Sequence, residues 1–162
     1  CNFVKEIARV KKIPCDIAVS TNGGFPLDQN IYQAVKGMTA AEATNKDGGV
    51  IIMVAGCRDG HGGEGFYENI ANVKNPNEFL EAAIHTPRLE TVPDQWTSQI
   101  LARILVHHHI IFVSDLVDPE LITSMHMEIA KTFDEALERA FEREGLNAKV
   151  TVIRDGLSVI VE

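Results

Sequence analysis

Apolar positions along this chain recur at two spacings, and the two alternate. Residues 14–20 (PCDIAVS) read as a short strand. Residues 50–55 (VIIMVA) form a near-continuous β-branched run, the pattern of a central strand buried on both faces. Residues 110–114 predict a third strand. Between these runs the spacing is helical. Residues 28–36 predict a helix in which Asp28 caps the first turn, Ile31, Ala34 and Val35 form the apolar stripe, and Gly37 ends it. Thr39 and Glu42 stand in the Thr-x-x-Glu order of a capping box and predict a second short helix ending near Gly48. Further helical patterns cover 66–72, 77–85, 95 to about 106, and 119–125. In the third of these Trp96, Ile100, Leu101, Ile104 and Leu105 make the apolar side. Residues 132–144 predict a last helix, capped by Thr132 and stopped by Gly145. Residues 149–154 and 157–161 flank Asp155-Gly156, a strong hairpin signal.

Strands separated by helices run parallel, with right-handed crossovers that place helices over both faces. The pattern predicts one α/β domain over residues 1–162: a three-layer sandwich with a mostly parallel sheet and a C-terminal antiparallel hairpin. Ligands of such sheets gather beyond the carboxyl ends of the strands. Three loops are singled out, at 21–27, 56–65 and 115–119. At the start of the chain Val4, Ile7, Ala8 and Val10 share one face of an amphipathic helix already under way. Opening at Cys1 without a signal or transit peptide, the chain is expected to be a segment of a longer protein.

Charge and composition narrow the partners. Fifteen Lys and Arg against 23 Asp and Glu leave a formal charge of −8. No basic patch extends beyond Lys11-Lys12, which argues against a nucleic-acid partner, because phosphate binding is driven by clustered positive charge. No apolar run approaches the roughly 20 residues of a membrane-spanning helix, so no membrane partner is expected. Cys1, Cys15 and Cys57 are scattered in neither a metal nor a disulfide spacing, and are expected as reduced thiols in a cytoplasmic protein.

Candidate chemistry is sparse. The loop 56–65 holds Arg58, His61 and several glycines between a strand and a helix. It could cradle an anion, or be a tight mobile connection, or pack against another domain. It is neither a Walker loop nor a regular Gly-x-Gly-x-x-Gly. His107, His108 and His109 suggest metal, but where a helix passes into a strand their rings point in different directions. His85 and His126 are isolated. Cys57 follows a strand but has no partner set for a nucleophile. Asp115, Asp118 and Glu120 cap the next helix. The predicted helix 28–36 is richer. Gln29, Tyr32, Gln33 and Lys36 lie at i, i+3, i+4 and i+7 on one face, with donors and a charge suited to a small carboxylate or phosphate, or simply to water.

The run 20–43 (STNGGFPLDQNIYQAVKGMTAAEA) closely resembles a segment of the nickel-pincer lactate racemase family, and the following GGVIIMVA is similar too. The resemblance implies two α/β domains with the active site between them. It implies interconversion of the enantiomers of a 2-hydroxy acid, lactate or a relative. A nickel ion held by a lysine-bound pincer nucleotide would take a hydride from the substrate C2 and return it, while two histidines exchange the hydroxyl proton. Those lysine and histidine positions belong to the N-terminal domain and have no match here. The resemblance therefore implies the C-terminal domain, with no catalytic residue or metal ligand of its own, inactive by itself, and partnered by its own N-terminal domain. Tyr32, Gln33, Lys36 and Trp96 match positions that line the cofactor and substrate pocket, and the 20–24 turn would reach the same cleft. The competing expectations are a non-catalytic binding or interaction domain derived from that family, and a phosphate-ester enzyme built on the glycine loop.

Overall fold

The computed structural model describes residues 2–162. Cys1, expected as a reduced thiol, lies outside the described residues. The elements in chain order are α1 (Asn2–Ala8), β1 (Arg9–Val10), β2 (Cys15–Thr21), α2 (Ile31–Thr44), β3 (Asn45–Val54), α3 (Glu64–Ala71), α4 (Pro76–His85) and α5 (Gln95–His107). They continue as β4 (His109–Val113), α6 (Pro119–Ser124), β5 (Glu128–Ala130), α7 (Phe133–Glu144), β6 (Val150–Ile153) and β7 (Ile160–Val161).

Five strands form one sheet in the order β5-β4-β3-β2-β6, every neighbour parallel. The β-branched run sits in its middle, and Val50, Ile51, Ile52 and Met53 are completely buried. Successive side chains leave a strand on opposite faces. Ile51, Met53, Ile110 and Phe112 accordingly pack under α2, α3 and α5 with Ile31, Met38, Phe66 and Leu101. Val50, Ile52, Ile111 and Val113 pack under α7 with Ala136 and Ala140. This is the expected three-layer α/β sandwich.

The end of the chain departs from the expected antiparallel hairpin. The α7 crossover returns β6 alongside β2 in parallel, and β7 pairs with β1, also in parallel. Asp155-Gly156 does not close a two-residue turn between them. Asp155 forms an isolated antiparallel bridge to Asn22, and the Gly156 N–H donates to Thr21 O at 2.8 Å. The chain is thereby pinned across the end of β2 and leaves the sheet. A strand was also missed. Glu128–Ala130 pairs with β4 at the sheet edge, and three residues are too few to show a period.

The two short helices expected at 28–36 and from Thr39 are one helix, α2, that runs through Gly37. Gly37 is a contact residue and not a stop, because a Cβ there would lie 2.0 Å from Asn22 Oδ1. The N-cap is Asn30, whose Oδ1 accepts from the Gln33 N–H at 3.0 Å. Asp28 instead accepts from the Gly56 N–H at 2.9 Å. Thr39 donates its hydroxyl to Lys36 O, and Glu42 holds Arg103 through two 2.7 Å hydrogen bonds, so neither caps anything.

The histidine triplet has three different surroundings. His107 Nδ1 lies 2.9 Å from Asp47. His109 Nε2 lies 2.7 Å from Glu128 without the alignment of a hydrogen bond. His108 is buried between them. Burial holds its imidazole below the ordinary histidine value, aided by His107 and opposed by Glu42 and Asp47. The unfolded chain therefore takes up a proton at a pH where the folded chain does not. The stability this adds is present above about pH 6.5 and falls as the pH drops toward the lower, folded value. The denaturant midpoint is expected to decrease between about pH 7.5 and 5.5, and to decrease less in His108→Gln. Equal decreases would exclude His108 as the source.

Candidate functional site

The site is built where the first turn of α2 meets the glycine loop. Four backbone hydrogen bonds tie the two segments: Cys57 N–H to Asp28 O, Asp59 N–H to Gln29 O, Ile31 N–H to Gly60 O and Tyr32 N–H to His61 O, all 2.9–3.1 Å. Gly62, at φ +85°, lets the loop pass over the Asn30 side chain, which a Cβ would meet at 2.3 Å. The loop 56–65 is thus fastened to the chain's own 28–32 segment. Its other chemical groups are engaged. Arg58 stacks on Phe25 at 5.0 Å, His61 stacks on Tyr67 at 5.0 Å, and the Gly63 N–H donates to His61 Nδ1. Cys57 is buried, and burial first, with the Asp28 charge adding to it, pushes its thiol up to about 12. A thiol so held is protonated at neutral pH and unsuited to be a nucleophile.

The four residues singled out from the sequence come together. The Tyr32 ring meets Phe66 edge to face at 5.4 Å and Trp96 at 5.8 Å with an interplanar angle of 88°. Trp96 lies at the start of α5, just after Asp94, whose left-handed φ of 59° turns the chain into the helix. The Thr97 and Ser98 N–H groups donate to Asp94 O and hold that turn. Half of the Trp96 surface (52%) remains exposed. One turn along α2, Lys36 Nζ donates to Gln33 Oε1 at 2.7 Å and stands 5.7 Å from the Tyr32 ring centre. The result is an ammonium and an amide beside an aromatic corner. Gln29, expected on the same helical face, precedes the helix instead; its N–H donates to Pro26 O.

Sequence reasoning missed Asn22 and Phe66. Asn22 read as part of a turn, yet it is fully buried and its Nδ2 donates to Leu27 O at 2.8 Å and Gln33 O at 2.7 Å. An Asn before Gly-Gly carries no signal that separates a turn residue from a buried anchor. Phe66 read only as a helix start. A cavity of about 350 Å³ opens at the carboxyl ends of β2, β3 and β4, among the three loops expected to gather ligands, lined by Thr21, Asp28, Gly56, Ser114, Asp115 and Lys131. Another, of about 330 Å³, lies between β6, β7 and residues 10–13, away from all four site residues. Asp118 accepts from the Glu120 N–H and caps α6. Among the described residues no group of three or more His, Cys, Asp or Glu is placed to hold a metal ion, and no helix is long and apolar enough to cross a membrane.

Comparisons with known proteins identify the family and the fold. The family model for the lactate racemase C-terminal domain matches residues 10–161. The chain is 76% identical over 162 residues to a lactate racemase of Lactiplantibacillus plantarum, covering 100% of this chain and 38% of that protein. It is 53% identical over 161 residues to a lactate racemase of Thermoanaerobacterium thermosaccharolyticum, covering 99% of this chain and 38% of that protein. The solved structure of the lactate racemase apoprotein from the latter organism superposes with a TM-score of 0.96 at 52% identity, over 100% of this chain and 39% of that one. The chain thus spans 38% of the length of these curated relatives. The family match over nearly the whole chain and the shared fold place it plainly: the chain belongs to the lactate racemase C-terminal domain family.

Proposed function

We propose that this domain forms one wall of the active site of a racemase acting on small 2-hydroxy acids, lactate first among them. The other wall would come from the N-terminal part of the same protein. The observation that carries the reading is the Lys36–Gln33 pair beside Tyr32 and Trp96. Among the described residues Lys36 has no carboxylate within ion-pair distance. Its charge is therefore available to an anion. This donor set fits either the substrate carboxylate or the carboxylate and phosphate groups of a nickel-pincer nucleotide. Lys36 and Gln33 would hold the anionic end, and Tyr32 and Trp96 would lie against flat apolar surfaces.

When bound, the nickel-pincer group supplies a reversible hydride acceptor for the carbon that bears the hydroxyl. The chain's own residues supply binding and shielding. The Lys36 ammonium attracts the carboxylate, and Gln33 adds a directed N–H, because its Oε1 already accepts from Lys36 and leaves Nε2 to donate. Both enantiomers of a 2-hydroxy acid carry the same carboxylate, so a clamp on that group serves either one. Covered by the N-terminal part, Tyr32 and Trp96 would exclude water, which strengthens the charge interaction. Metal ligation and proton exchange at the hydroxyl are assigned to the N-terminal part, and the isolated chain is expected to be inactive. Cys15 and Cys57 are free and buried, which suits a reducing cytoplasm.

The test is the full-length racemase, loaded with its cofactor and offered several D-2-hydroxy acids. Appearance of the L form of at least one, with none produced by residues 1–162 alone, supports the reading. No interconversion of any would leave a binding or interaction module derived from the family.

A further inference from the structure

We infer that Asn22 is a positioning residue for the Lys36–Gln33 pair, and that Gly37 lacks a side chain to make room for it. The inference rests on the reading of that pair as an anion clamp.

Asn22 stands just beyond the end of β2, fully buried. Both ends of its side-chain amide meet the same turn of α2. Nδ2 donates to Gln33 O at 2.7 Å, the carbonyl that helical geometry already offers to the Gly37 N–H. Oδ1 faces the Gly37 backbone so closely that an ideal Cβ would lie 2.0 Å from it. Lys36 and Gln33, the two residues with polar side chains toward the proposed anion, belong to this gripped turn. The other Nδ2 hydrogen reaches Leu27 O at 2.8 Å and ties the preceding loop to the same point.

The arrangement carries a penalty that packing alone does not explain. Among the described residues Asn22 Oδ1 has no hydrogen-bond donor, and an unpaired buried carbonyl is unfavourable. An apolar residue would avoid it but could not grip two carbonyls. The surroundings are arranged around the same point. Ser20 donates its hydroxyl to Gly37 O at 2.9 Å, and a Cβ on Gly156 would meet Ser20 Oγ at 2.4 Å and Gly37 O at 2.6 Å. Two glycines and a serine thus bring β2, α2 and the 155–156 bend close enough for one amide to set where the Lys36 turn sits.

The experiment is a double-mutant cycle in full-length, cofactor-loaded racemase, with Asn22→Ala, Lys36→Ala and the pair. Lactate binding to the unloaded protein is measured by calorimetry alongside. Folded Asn22→Ala is expected to raise KM and the lactate dissociation constant by about tenfold or more, and to add little where Lys36 is already replaced. Asn22→Ser, which keeps one donor, should fall between. Multiplying effects of the two substitutions, or unchanged KM and lactate affinity in a folded Asn22 variant, would overturn the inference. A Lys36→Ala enzyme with unchanged kinetics would instead overturn the anion clamp on which it rests. Should neither Asn22 variant fold, the wild-type Asn22 side-chain amide resonances decide: a shift on adding lactate supports the inference, and no shift overturns it.

Discussion

Replacing Lys36 by alanine in the full-length protein is expected, under the proposed function, to lower kcat/KM for lactate by about a hundredfold or more. Lys36 Nζ makes one hydrogen bond, to Gln33 Oε1, and points no charge at any carboxylate of the described residues. On the proposed reading, removing it takes away the ammonium of the Tyr32, Gln33, Lys36 and Trp96 cluster and leaves Gln33 as this wall's one polar contact to the anion. Truncating one partner of a desolvated, hydrogen-bonded charge pair loses about 2–5 kcal/mol, and each 1.4 kcal/mol is roughly a factor of ten. Lys36→Arg should lie between wild type and alanine. It keeps the charge, but a planar guanidinium cannot occupy the place of a compact ammonium beside Gln33 and 5.7 Å from the Tyr32 ring. The rate of lactate racemisation, followed by chiral chromatography, checks both. Unchanged kinetics in Lys36→Ala would remove the clamp from the site.

Gly37→Ala should be strongly destabilising even though alanine is the better helix former. By propensity alone the change favours the helix by about 1 kcal/mol. Packing opposes it more strongly. The new methyl would lie 2.0 Å from Asn22 Oδ1 and 3.3 Å from Met53 Cε. Asn22 holds two backbone carbonyls and Met53 is wholly buried in the central strand, so neither can yield without breaking other contacts. Inserting a methyl into a filled core of this kind is unfavourable by typically 1–3 kcal/mol. With a backbone-gripping amide among the displaced atoms, a net loss near the upper end is expected, or roughly 5–10 °C in Tm for a domain of this size. Thermal unfolding monitored by circular dichroism measures it. A Tm equal to or above wild type would mean that α2 does not approach β2 as closely as the structure has it.

The same glycine shows where reading a sequence succeeds and where it stops. Residues 50–55 announce a buried central strand because β-branched side chains without polar interruption have nowhere else to go. Thr132 and Gly145 mark the ends of α7 because caps are local: the Thr132 hydroxyl accepts from Glu135 N–H three residues on. Tyr32, Gln33 and Lys36 could be grouped because a helix brings i, i+1 and i+4 to neighbouring positions along one flank. Trp96 came to them only through the family resemblance, since nothing local connects residues 64 positions apart. Gly37, by contrast, has the composition of a helix stop, and only the strand beneath it makes it a point of contact. Asp28 is an equally good cap by type, yet Asn30 takes that role while Asp28 accepts from Gly56 across the loop.

The ends of the sheet divide in the same way. Asp155-Gly156 carries a local preference for a tight hairpin, but the crossover through α7 delivers β6 in parallel beside β2, and the bend is drawn onto Thr21 O instead. Short-range chemistry thus determined the central strands, most of the helices, some of their caps and the chemical character of the α2 face. Tertiary structure decided which residues stand opposite one another: Tyr32 against Trp96, Asn22 within the Gln33–Gly37 turn, β7 beside β1. The physical reason is range. Caps and periodicity are contacts within about one turn and are written in neighbouring letters, whereas close approach between distant segments depends on the volume left by every other side chain in the core.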